Sequence, residues 1–83
     1  MGGLVTSKAY ILIKATVGKT RDVAGALRGL EGVSESHLVT GPYDIVAIVE
    51  GQDANAVGNT VTGRIHAIPG IARTVTCLRI EIP

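Results

Sequence analysis

The chain contains no tryptophan and no phenylalanine, and its only aromatic residues are Tyr10 and Tyr43. Recognition of RNA on a sheet surface depends on displayed aromatic side chains, so that function has no platform here. A single cysteine, Cys77, rules out an intramolecular disulfide framework, an all-cysteine metal cluster and a CxxC metal carrier. Charge of one sign is also lacking: eight Lys and Arg stand against seven Asp and Glu, for a formal net charge of +1. No strong field would steer nucleic acid or acidic lipid to this protein. No apolar run exceeds strand length and no basic residue precedes Lys8, so neither a membrane span nor a signal peptide is visible. The default expectation is a cytoplasmic protein without nucleic-acid or membrane partners.

Eighty-three residues suffice for one domain. A domain this small buries only about 60% of the surface its unfolded chain exposes, so its own core leaves little margin. With disulfides and cysteine clusters excluded, association with a partner subunit is the leading remaining support. Residues 1–7, with Gly2, Gly3, Thr6 and Ser7, read as a flexible tail.

Apolar periodicity supplies the order of elements. Residues 8–16, KAYILIKAT, form a strand-length apolar run bounded by Gly18. Val23, Leu27 and Leu30 then recur at helical spacing over 20–30, with Thr20 as N-cap, Asp22 in the first turn and Gly32 as the stop. SESHLVTG, 34–41, alternates with more polar residues and reads as an edge strand, and YDIVAIVE, 43–50, as a third strand. Asp53 suits an N-cap, and Val57, Val61, Ile65 and Ile68 trace one stripe of a second helix over about 54–67. Gly58 and Gly63 weaken that helix by roughly 1 kcal/mol each relative to Ala. Pro69 and Gly70 end it, and IARTVTCLRIEI, 71–82, is the last strand.

An internal echo accompanies this order. Leu30-Glu31-Gly32-Val33 precedes the second strand as Ile68-Pro69-Gly70-Ile71 precedes the fourth. Two strand–helix–strand halves of this kind predict an α+β, ferredoxin-like βαββαβ fold, with a four-stranded antiparallel sheet and both helices on one face. Strands one and three would be central and apolar on both sides, leaving residues such as Tyr10, Leu12, Val46 and Ile48 to face away from the helices. Covering ~400 Å² of such surface at about 25 cal/mol per Å² is worth on the order of 10 kcal/mol before association entropy. A homodimer formed sheet to sheet is therefore expected.

The stretch VTGPYDIVAIVE, 39–50, raises the functional question. Asp44 follows a Gly41-Pro42-Tyr43 turn. Such a carboxylate commonly bonds its local backbone; alternatively Gly41 exposes an N–H for a carboxylate while Asp44 accepts an ammonium, together holding a zwitterion. Thr74 and Thr76 share a strand face and offer hydroxyls in a row, although Thr is also simply a good strand former. Asn55, Asn59, Thr62 and His66 make a polar stripe opposite the apolar one, read as a solvated face, with a subunit contact as the alternative. His37 and His66 have no metal-ligand spacing around them, and Cys77 reads as a small apolar residue. No phosphate loop, nucleophile elbow or recognisable acid pair is present, so neither catalytic residues nor a cofactor are expected.

These residues resemble a family. The runs AYILIKATVGK, LRGLEGVSESHLVTGPYDIVAIVE and IHAIPGIARTVTCLRI are similar to the effector-binding (RAM) domain of the Lrp/AsnC, or feast/famine, transcription regulators, most specifically in VTGPYDIVAIVE. The resemblance implies ferredoxin-like units that dimerise through their sheets and assemble as rings of octameric or decameric type. It also implies an amino acid or related small molecule bound between dimers near the turn. Gly41, Tyr43 and Asp44 match that turn, Pro42 occupies its variable position, and Thr74 and Thr76 match hydroxyl positions on the last strand. Family regulators carry a helix-turn-helix domain before this module, and the few residues preceding the first strand here are too few for one. The expectation is a stand-alone sensing and assembly module, acting with itself or with full-length relatives. Two other readings stay open: a cofactor-independent dimeric α+β barrel enzyme using Tyr10, His37 or Asp44, and a purely structural assembly module.

Overall fold

The computed structural model describes residues 6–81. Strand β1 spans Ser7–Ala15, helix α1 Thr20–Leu27, β2 Val33–Leu38, β3 Ile45–Gly51, α2 Ala54–Thr60, and β4 Ile71–Leu78, with a π-helical turn, Val61–Ile65, continuing α2. The expected tail at 1–7 lies outside the described residues as far as residue 5, and Ser7 is already paired with Gly51 in the sheet. Ile82, the last residue of the expected final strand, also lies outside them.

One four-stranded sheet has the order β2-β3-β1-β4, and every neighbouring pair is antiparallel. The strand assignments follow from alternation. Ala9, Ile11, Ile13 and Ala15 of β1, and Ile45, Ala47 and Val49 of β3, are buried beneath the helices. The intervening residues point to the opposite, open face. Val23 and Leu27 of α1, Val57 of α2, and Val61 and Ile65 of the π turn close the core from above. Thr60 is the buried polar side chain among the described residues, and its hydroxyl donates to the Ala56 carbonyl at 3.2 Å.

Helix boundaries differ from expectation for identifiable reasons. Helix α1 begins with the Val23 N–H donating to the Lys19 carbonyl, so Lys19 occupies the cap and Thr20 lies within the first turn. The helix ends three residues early because Arg28 is extended and Gly29 takes φ 75°. Asp53 caps α2 as expected, its Oδ1 accepting from the Ala56 N–H at 2.8 Å. Beyond Thr60 the ladder widens, and the His66 N–H donates to the Val61 carbonyl five residues back, at 2.9 Å. The wider turn keeps Val57, Val61 and Ile65 in line over the sheet, where a regular α-helix drifts by about 40° every four residues.

The internal echo is structural. Gly32 and Gly70 both sit at φ 95°. The Gly32 carbonyl accepts from Glu50 N–H at the end of β3, and the Gly70 carbonyl from Thr16 N–H just past β1. Each junction glycine also lies under the other half's helical segment. A Cβ on Gly32 would fall 2.7 Å from Thr60 Oγ1, and one on Gly70 2.9 Å from Lys19 Cβ. Only glycine satisfies both the left-handed backbone and the contact.

Candidate functional site

The β2–β3 connection and the start of β4 meet at one end of the sheet, and there the polar residues of the turn converge. Asp44 is fixed three times. Its N–H donates to the Ile13 carbonyl at 2.9 Å, its carbonyl accepts from Val39 N–H at 2.9 Å, and its Oδ2 accepts from Ala15 N–H at 2.9 Å. Ala15 is where β1 shifts register against β4. Since the regular β1–β3 pairing stops at Ile13 and Ile45, the carboxylate carries the ladder one step further. The turn carboxylate does bond backbone, as such groups commonly do, but its partner lies 29 residues away on β1.

The other oxygen, Oδ1, stands 3.7 Å from Lys14 Nζ. Lys14 pairs with Arg73 across β1 and β4, so Asp44, Lys14 and Arg73 form a row on the open face. Arg73 is held by Tyr43: its Nη2 donates to the Tyr43 hydroxyl at 3.1 Å, and its Cζ lies 5.7 Å from the ring centroid. Among the described residues Arg73 has no carboxylate within ion-pair distance. The end of the sheet thus presents one structurally engaged carboxylate and a guanidinium with donors to spare. Gly41, at φ 125°, and Pro42 are exposed at the tip of the turn.

Thr74 and Thr76 are placed differently. They pair with Ile13 and Ile11 and therefore share the helix-side face, whereas Arg73 shares the open face with Lys14. The Thr74 hydroxyl lies 3.0 Å from His66 Nε2, a contact between the polar stripe and β4. Within one chain, then, Tyr43, Asp44, Lys14 and Arg73 come together, while Thr74 and Thr76 lie across the sheet from them. Sequence reading missed Lys14 and Arg73. The available signal was strand parity, which sets Arg73 and Thr74 on opposite faces.

Tyr10 and His37, considered as acid–base groups, also lie on the open face; His37 pairs with Val46, and its Nε2 is 3.0 Å from Glu35 Oε1. Aliphatic side chains and Thr60 fill the layer between helices and sheet. A groove of about 260 Å³ runs between the end of α1 and β2, lined by Arg28, Ser34 and Ser36. No helix among the described residues is long and apolar enough to cross a membrane.

A ferredoxin-like domain with an uncovered sheet face, and with a charged turn at one end of that face, is the class the structure defines. The chain belongs to the Lrp/AsnC ligand binding domain family, whose model matches residues 8–83. An HTH-type transcriptional regulator of Pyrococcus horikoshii is 37% identical over 71 residues, covering 82% of this chain and 47% of the regulator. The chain spans about half the length of the curated relatives it matches. A solved protein of Thermus thermophilus superposes with a TM-score of 0.86 at 32% identity, covering 93% of this chain and 96% of that one. The fold alone is shared with a transcriptional regulator of Neisseria meningitidis solved as a complex with L-Met, with a TM-score of 0.79 at 18% identity, covering 90% of this chain and 50% of that one.

Proposed function

We propose that the chain is a non-enzymatic sensing and assembly module of Lrp/AsnC-type transcription regulation in the cytoplasm, binding an amino acid or related small metabolite where dimers meet. The observation that carries this reading is the row of Asp44, Lys14 and Arg73 with Tyr43, built at the turn of a ligand-binding-domain family member. Arg73, which has no carboxylate partner among the described residues, supplies a guanidinium suited to a ligand carboxylate, and the exposed Gly41-Pro42 tip leaves backbone open to a ligand or neighbouring subunit. Thr74 and Thr76, lying on the other face, contribute to a pocket from an adjacent subunit. The L-Met complex of the Neisseria regulator supports an amino-acid ligand.

The uncovered face is closed by a second copy. Leu12, Val46 and Ile48 are only half-buried in the single chain, and Tyr10 and Val75 are each 37% exposed. Stacking two such faces removes that surface from water. Dimers then join into larger rings, with themselves or with full-length relatives that carry a DNA-binding domain.

Sedimentation velocity and native mass spectrometry, with each amino acid added in turn, test this. A dimer or ring whose bound mass or size distribution responds to one ligand, and whose response is lost in Arg73→Gln, is the expected result. Absence of any response at millimolar concentration refutes the sensor; a monomer at all concentrations refutes the assembly.

A further inference from the structure

The arginines of the chain are not equivalent. Arg64, Arg73 and Arg79 each hydrogen-bond within it, to the Glu31 carbonyl, the Tyr43 hydroxyl and the Thr6 carbonyl, and Arg21 lies exposed in the first turn of α1. Arg28 differs from all of these. It leaves α1 with an extended backbone, φ −67° and ψ 129°, and borders two adjoining cavities between α1 and β2, of about 260 Å³ and about 200 Å³. Among the described residues no carboxylate lies within ion-pair distance of its guanidinium.

The two cavities share Arg28 and Ser36 and differ in character. Ser34 adds a further hydroxyl to the first, whereas Ala24, Leu38 and Ile45 give the second an apolar lining. Strand register decides which groups face this groove. Ser36 and Leu38 pair with Ala47 and Ile45, whose side chains are buried beneath the helices, so they share the helix side. Glu35 and His37 also border the cavities, but they pair with Ile48 and Val46 and meet each other on the open face, Oε1 to Nε2 at 3.0 Å. Arg28 is therefore the ionised side chain that the groove has to offer. The Ser34 hydroxyl is committed to the Ile48 carbonyl at 3.2 Å. The Ser36 hydroxyl has no hydrogen bond among the described residues.

A guanidinium and a free hydroxyl beside an apolar slot match an acid of a particular shape. The guanidinium accommodates a carboxylate through two parallel N–H donors, the hydroxyl donates to the same group, and an aliphatic body displaces water from Ala24, Leu38 and Ile45. A phosphate would meet a single cation here and gain nothing from the apolar half. From Ser36 to Leu38 is two strand residues, about 7 Å, which suits a body of about four to six carbons.

We infer that the α1–β2 groove binds a small aliphatic monocarboxylate, its carboxylate on Arg28 and Ser36 and its chain against Ala24, Leu38 and Ile45. The site lies across the sheet from the row at the turn, since Lys14 and Arg73 belong to the open face, and it does not depend on that row.

The probe is sodium hexanoate, titrated into the full chain by isothermal titration calorimetry with sodium acetate and 1-hexanol in parallel. Hexanoate is expected to bind with a Kd on the order of 1 mM. Acetate leaves the apolar cavity unfilled and hexanol forgoes the guanidinium, so each is expected to bind at least about tenfold more weakly. Arg28→Gln is expected to reduce hexanoate to the level of hexanol. Ala24→Leu, which fills the apolar cavity with a good helix former, is expected to abolish binding. Arg73→Gln is expected to leave the hexanoate affinity within about twofold.

That pattern confirms the proposal. Hexanoate affinity that survives Arg28→Gln, or that hexanol matches, overturns it. Loss of binding in Arg73→Gln with Arg28→Gln unaffected also overturns it and puts the acid at the turn. Neither heat nor a rise in melting temperature at about 20 mM hexanoate overturns it outright. Circular dichroism and sedimentation velocity check that each variant keeps the wild-type fold and assembly. If Ala24→Leu does not fold, Leu38→Ser takes its place, since Leu38 is 62% exposed, and is expected to weaken hexanoate about tenfold.

Discussion

Replacing Gly32 by alanine tests how tightly the two halves are closed on each other. The residue has φ 95°, a backbone that L side chains rarely adopt, and its new methyl would fall 2.7 Å from Thr60 Oγ1 and 2.9 Å from Thr60 Cγ2. Holding a non-glycine residue in the left-handed region costs about 1–2 kcal/mol, and overpacking against a buried side chain adds about 1–3 kcal/mol. The expected total is roughly 2–5 kcal/mol, a large part of the stability of a domain this size. Gly18→Ala is the control, since Gly18 also has a positive φ, 82°, but nothing within 4 Å of the added methyl; only the backbone cost of about 1–2 kcal/mol is expected there. Urea denaturation at one fixed protein concentration, so that assembly contributes equally, measures both. Combining Gly32→Ala with Thr60→Ala removes the two closest atoms, and the double-mutant cycle is expected to return a coupling of about 1–2 kcal/mol. Equal costs for Gly32→Ala and Gly18→Ala would refute the steric argument.

At the turn, Asp44→Ala leaves the Ala15 N–H without its acceptor at the register shift of β1, and a loss of about 1–2 kcal/mol is expected in the same denaturation assay. Asp44→Asn keeps an oxygen acceptor there while removing the charge near Lys14. It should retain most of the stability, and so separates a ligand role of the carboxylate from its architectural one. At the start of α2, Asp53→Ala removes the oxygen that accepts from Ala56 N–H and should cost about 1 kcal/mol, whereas Asp53→Ser should recover most of it.

The order of elements was legible because β1 and β3 are apolar on alternate residues over their whole length and the helical stripes recur at four and three. Legibility declined wherever a distant contact decided the outcome. Helix α1 stops at Gly29 rather than Gly32 because two glycines compete for the same role, and only tertiary packing assigns Gly32 to the junction beneath Thr60. The π turn has no local signature; Thr62 and Gly63 are compatible with several helical geometries. Asp44 was recognisable as a turn carboxylate, but its hydrogen bond to Ala15 joins strands 29 residues apart in sequence. Arg73, 30 residues from Tyr43, became visible as a candidate only once the β1–β4 register set it beside Lys14.

The strand order also bears on how the chain is made. In β2-β3-β1-β4, neither half contains a strand pair of its own: β1 lies between β3 and β4, and β2 pairs with β3. As the polypeptide leaves the ribosome, β1 waits for both of its neighbours, and the second arrives only when residues 71–78 have emerged. Gly32 and Gly70 reinforce this, each completing its contact against the opposite half. The nascent chain can form the β2–β3 hairpin early, but β1 stays without its second neighbour until β4 has emerged. Closure of this domain therefore follows the arrival of β4, and the interval before β4 appears is when its apolar surface is most open to aggregation.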